Sequence, residues 1–149
     1  MTQSSPTYYK VLNEDGTGIY SHAQWRLPNG KRPGKWMPKV SELSVCVSGY
    51  HITDKAHLTD WLGPAIYEVE ARGKSLLTSN HPDKSVYEQA RLLRRLDSWD
   101  DGTARLFAAD CAQHVLFLFE DKYPDDKRPR QAIEAARRFA NGEIGHAAR

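Results

Sequence analysis

Three groups of residues in this 149-residue chain have types and spacings that could do chemistry. The first is Gly49-Tyr50-His51-Ile52-Thr53, placed where a strand should hand over to a helix. Strand ends and the loops after them often carry function. Tyr50, His51 and Thr53 could line a nucleotide pocket there, with the stretch Tyr67–Gly73 as its other wall. The structural alternative is that His51 satisfies local backbone groups while Tyr50 packs. The second group is Asp110, Cys111 and His114. Asp110 and His114 are four apart and Cys111 and His114 three apart, so each pair meets on a helix surface. A metal needs three or four ligands, and no local set completes one, so no metal is expected; a neighbouring Arg or backbone group is the simpler partner. The third group is the basic stretch Arg26, Lys31, Arg32, Lys35 and Lys39, interleaved with Trp25 and Trp36. Cations with aromatics suit phosphate contact and base stacking. The same residues also describe a solvated, proline-rich loop anchored by two tryptophans.

Composition limits these readings. Lys and Arg number 21 and Asp and Glu 19, a net charge of +2, too small to argue for nucleic acid or membrane by itself. Cys46 and Cys111 form neither a disulfide framework nor a CxxC pair, which fits a reducing, cytoplasmic setting. Met1–Pro6 is small and polar and expected to be loose; the N-terminus lacks the apolar segment of a signal peptide. No run approaches the ~20 apolar residues of a membrane span. Phosphate-loop, dinucleotide-binding, nucleophile-elbow and zinc-protease motifs are absent. No cofactor is expected.

The elements that would position these groups follow from periodicity. Thr7–Leu12 reads as a strand, followed by turn chemistry at Asn13–Gly18. Asn29-Gly30 is a two-residue hairpin signal, and Pro28, Pro33 and Pro38 confine its flanks to edge strand or extended loop. Leu43–Val47 alternates and predicts a strand; Thr53 or Asp54 caps a short helix over Lys55–Leu62; Ala65–Ala71 alternates as a further strand, and Ser75–Leu77 adds a short one. Asp83 or Ser85 caps a helix to about Leu96, predicted by the spacing of Val86, Ala90, Leu93 and Leu96. Thr103 caps the next helix, to about Tyr123, apolar nearly all round and so expected to be buried between neighbours. A last helix runs from about Arg128 to Asn141-Gly142. Strands first and helices after argue for α+β: one domain, with a small, mostly antiparallel sheet and one short helix over residues 7–79, packed on a C-terminal three-helix lobe over 83–145.

The run Arg105–Ile144 resembles a bacterial immunity-protein family of polymorphic toxin systems, through Ala109-Asp110-Cys111-Ala112 and Asp126–Ile144. The N-terminal part resembles phage and bacterial domains of unknown function with a GFHF-type motif, through Lys10–Gly16, Gly49-Tyr50-His51 and Tyr67–Gly73. Gly49–Thr53 also resembles, weakly, half of an ADP-ribosyltransferase fold, but Thr7–Leu12 lacks the Arg or His of such enzymes and no catalytic Glu motif follows.

The immunity resemblance implies a protein without catalysis that binds another protein, a toxin or a host or phage factor, by occlusion. Trp25, Arg32 and Trp36 on the basic loop, with Arg130 and Arg137 on the last helix, are the expected contacts, because Trp and Arg dominate interface energetics. A nucleotide site at Tyr50, His51 and Thr53, and nucleic-acid binding through residues 25–39, are the alternatives.

Overall fold

A computed structural model describes residues 7–77 and 80–145; the expectation for Met1–Pro6 lies outside them. The chain is α+β. Its contacts divide it into two compact units, Met1–Asp97 and Ser98–Arg149.

The first unit is a four-stranded antiparallel barrel. Its strands are β1 (Tyr8–Leu12), β2 (Tyr50–Asp54), β3 (Ala65–Leu76) and β4 (Ser85–Arg95), closed in the order β1-β2-β4-β3. Closure removes the free sheet edges that so small a sheet would otherwise leave. Leu12, Ile52, Tyr67, Val69, Ala90 and Leu92 fill the interior, and Trp25 and Met37 enter it from the long β1–β2 connection. That connection is held by the barrel. The amides of Gly34, Met37 and Val40 donate to the carbonyls of Leu92, Ala90 and Glu88, so the proline-bounded segment runs extended along β4. The Asn29-Gly30 turn forms as expected: Asn29 and Arg32 exchange both backbone hydrogen bonds, with Gly30 at φ 57°.

Several sequence expectations fail here. Residues 85–95 are strand β4, so the described residues of the C-terminal part form two helices and not three. Val86 and Ala90 are four apart, a spacing that fits both periods; the buried set Val86, Glu88, Ala90 and Leu92 has period 2. Pairing on both sides, with Glu70–Arg91 and Glu68–Arg94 bridges to β3, overrides the helix propensity of the stretch. Ser75–Leu76 belongs to β3, which passes through a bulge at Arg72–Ser75. Gly73 occupies that bulge at φ 82°, and a β-carbon on it would lie 2.5 Å from the Glu88 carboxylate that accepts the Lys74 amide. Leu43–Val47 is a turn: Ser44 and Ser48 pair across it, Cys46 sits at φ 65°, and the Ser48 hydroxyl donates to the Glu42 carbonyl. Local side-chain hydrogen bonds win over a five-residue alternation. The expected short helix shrinks to one 3-10 turn, Leu58–Trp61, preceded by an Asp54 carboxylate that accepts the His57 amide.

The second unit is a helical hairpin of α1 (Asp101–Glu120) and α2 (Arg128–Ala140). Asp100, not Thr103, caps α1, accepting the Thr103 amide at 2.7 Å. The hairpin ends as expected at Asn141-Gly142: Gly142 (φ 74°) donates to Phe139 and Glu143 to Arg138, the paired bonds that satisfy the last carbonyls of a helix.

Candidate functional site

The hairpin's own core is small: Ala109 and Leu116 of α1 and Ile133 of α2, with Ala136 against them. That uses one side of α1. The other apolar side does not become buried. Phe107, Cys111, Val115 and Leu118 recur at four, four and three residues and so share a face, and all four are exposed, Val115 by 51% and Leu118 by 63%. Phe117 and Tyr123 are exposed as well. The expectation of a fully buried central helix is therefore wrong. The sequence pattern measured how apolar α1 is, not how much of it has a neighbour. An exposed apolar stripe of this kind marks a binding surface more often than an accident of composition.

Charged groups flank the hairpin's core in fixed pairs. Arg130 makes a two-pronged bridge to Glu120, at 2.8 and 2.6 Å, and holds that carboxyl below its ordinary range through those hydrogen bonds. Arg137 pairs with Asp110 at 2.7 Å. Both arginines thus reach across from α2 to α1 and not along α2, where an i,i+4 partner, Glu134, stands ready for Arg130. Asp110 has the neighbouring arginine expected of the structural alternative. Among the described residues no group of three or more His, Cys, Asp or Glu could hold a metal.

The residues of the barrel unit are placed as follows. Trp25 is 5% exposed, stacked edge-on against Tyr50 inside the barrel, so its ring offers no contact surface. Trp36 is half-buried beneath two guanidinium groups, Arg72 at 3.9 Å and Arg91 at 4.8 Å from its ring centre. Arg32 is exposed at the tip of its turn. Around the basic stretch, Arg26 donates to the Trp36 carbonyl and Lys39 lies 3.4 Å from Glu88.

Tyr50, His51 and Thr53 are all engaged. The Tyr50 hydroxyl donates to the Pro38 carbonyl, and the buried Thr53 hydroxyl donates to the Asp83 carbonyl. His51 Nε2 accepts the Cys46 amide at 2.7 Å, which leaves Nδ1 to donate to the Gly49 carbonyl at 3.2 Å. Both ring nitrogens are used and the ring is neutral. Burial, and then the charge of Lys10, push its pKa below the ordinary histidine value. It ties down its loop and has no nitrogen left for a base's work.

Sequence reasoning passed over Lys10 and Lys84, which line the same cavity of about 270 Å³ as His51. For Lys10 a signal was present: in Tyr8–Leu12 it falls on the same side of the strand as Tyr8 and Leu12, the inward one. The α1 stripe is visible in the sequence too, but a helix apolar on two sides reads there as core.

In comparison with known families, residues 95–149 match the model of a family described as "Imm-5 like putative immunity protein". That agrees with the resemblance of Arg105–Ile144, whereas the resemblance of the N-terminal part to GFHF-type domains finds no support. No curated protein and no solved structure matches the chain. No helix among the described residues is long and apolar enough to cross a membrane.

Proposed function

We propose that the chain is an immunity-like module that binds another protein, a toxin, and blocks it by occlusion without chemistry of its own. The observation that carries this reading is that the family match, residues 95–149, coincides with the helical unit that begins at Ser98. The surface of α1 supports it. Specific interfaces have an apolar centre inside a polar rim, and Phe107, Val115 and Leu118 supply the centre. Arg130 and Arg137 on α2 are further candidate contacts of the hairpin, with side chains already ordered on Glu120 and Asp110, which lowers the entropy lost on binding. Trp36 and Arg32 form a second candidate contact on the barrel unit. Trp25 leaves the contact set because it is a core residue.

The experiment is affinity capture from the native host, identification of the recovered protein, and titration of the purified pair. Leu118→Asp should weaken binding at least ~10-fold, since it places an unpaired charge in a desolvated centre. Arg130→Ala and Arg137→Ala should weaken it less and with a salt dependence. If a recovered toxin binds these three variants and Trp36→Ala as tightly as the parent, the surface is wrong.

A further inference from the structure

The geometry points to a second binding site, in the barrel unit, that takes a small aromatic anion: a single ring carrying one phosphate or carboxylate group. The site is the 270 Å³ cavity beside β1 and β2. Ligand sites of drug-sized molecules span about 300–1,000 Å³, so this one suits a one-ring ligand and is too small to enclose a dinucleotide.

The charge of its lining sets the sign of the ligand. Lys10 and Lys84 both line the cavity, and no Asp or Glu does among the described residues. The Lys84 side chain is only 12% exposed; its nearest carboxylate, Asp83, is 3.9 Å away, beyond hydrogen-bond length. Lys10 gives one N–H to the His51 carbonyl at 3.0 Å, at the seam where β1 and β2 have ceased to pair after Tyr9↔Thr53. An ammonium has three donors, and Lys10 has no carboxylate partner among the described residues. Two ammonium groups, one with no carboxylate partner among the described residues and one only loosely paired with an Asp83 that does not line the cavity, make a place for an anion. Burial pushes Lys10 down to about 8, a shift no local acid offsets. It remains largely protonated at neutral pH.

The remaining wall sets the body of the ligand. Tyr9, Tyr20 and Trp61 line the same cavity. Tyr20, though 81% exposed, meets Trp61 edge-on at 6.3 Å, and Trp61 is fixed by its indole N–H on the Asp83 carbonyl and by Lys84 at 4.9 Å over its ring. The exposed Tyr20 ring and the anchored Trp61 ring, with Tyr9, give the cavity an aromatic wall against which a further ring can pack. His51 and Thr53, whose polar atoms are spent on the backbone, shape the site without contacting the anion.

The test is titration of the full chain with phenyl phosphate, followed through tryptophan fluorescence and the Trp61 indole N–H resonance, with phenol and inorganic phosphate as single-feature controls. Phenyl phosphate should bind saturably and roughly tenfold or more tighter than either control, and Lys84→Gln should weaken it roughly tenfold or more, since charge-assisted hydrogen bonds are lost. Lys84→Arg should keep most of the affinity. Because Lys10 closes the β1–β2 seam, Lys10→Met is scored only beside its melting temperature, and Lys84→Gln decides. Absence of saturation, resonance changes confined to the helical unit, or unchanged affinity in Lys84→Gln each overturns the site. Equal binding of inorganic phosphate overturns the aromatic part. None of these outcomes bears on toxin binding by α1.

Discussion

Lys10 gives the sharpest test of the barrel's energetics. Its ammonium sits over the Trp25 ring at 5.3 Å and on the His51 carbonyl, yet burial still lowers its pKa from 10.5 to about 8. For a base lowered on folding, the unfolded chain holds more protons between those two values. The cost of keeping the charge is therefore fully present below about pH 8 and is relieved as pH rises toward 10.5. At 1.36 kcal/mol per pH unit, the cost at neutral pH is roughly 3 kcal/mol. Lys10→Met removes the charge while keeping the unbranched apolar stem. It also leaves the His51 carbonyl without its donor, a loss of about 1 kcal/mol. The variant should thus be about 2 kcal/mol more stable than the parent at neutral pH and should lose that advantage near pH 10. Urea unfolding of both proteins at the two pH values measures this, and taking the difference between proteins cancels the other titrating groups. A Lys10→Met effect that is the same at both pH values would refute the burial argument, whatever its sign.

Other substitutions probe single contacts. Gly73→Ala should destabilise by about 1–3 kcal/mol in urea unfolding, because it forces a side chain into a positive-φ bulge and onto Glu88. Cys46→Gly should be neutral or stabilising by up to about 1 kcal/mol, since Cys46 already occupies the left-handed region at φ 65°, whereas Cys46→Val should cost more than that; the same unfolding curves decide. Ile133→Ala should cost about 2–4 kcal/mol and lower the melting of the helical far-ultraviolet signal, because Ile133 is one of three buried residues in the hairpin core. A loss below about 0.5 kcal/mol would mean that the hairpin is held by something other than that core.

The elements legible in the sequence were those whose local chemistry and tertiary role agree. Thr7–Leu12 and Ala65–Ala71 have strand-forming residues and strand partners, and the Asn29-Gly30 turn and the Gly142 stop need only their own backbones. The stretch 83–96 failed because Glu88–Arg95 is a good helix sequence locally. The strand state of the stretch depends on partners in β2 and on the acids Glu68 and Glu70 of β3, all more than twenty residues distant, and no window of local periodicity contains them. Leu43–Val47 failed for the opposite reason: too few residues alternated, and the Ser48 hydroxyl, donating to the Glu42 carbonyl, and the His51 ring, accepting the Cys46 amide, turn the chain back.

At the sites, the same division of labour decides what could be foreseen. Residue types located the polar groups, but only geometry shows which are already satisfied. His51 had the identity of a catalytic residue, yet its two nitrogens close two backbone bonds. Asp110 had the spacing of a ligand and is neutralised by Arg137. Lys84 carried no motif, and its sheltered ammonium lies 3.9 Å from the Asp83 carboxylate and over the Trp61 ring. On α1 the argument runs through apolar groups instead. A helix apolar on two sides needs neighbours on two sides, and the hairpin supplies one, through Ile133 and Ala136. The second side, Phe107 to Leu118, belongs to the segment that matches immunity proteins. If that side were covered only by solvent, selection for solubility would favour polar residues there at no cost to the hairpin core. A partner that covers it would account for both its composition and its exposure, and Leu118→Asp separates the two cases: with solvent alone on that side only solubility changes, whereas with a partner there the capture of that partner weakens at least ~10-fold.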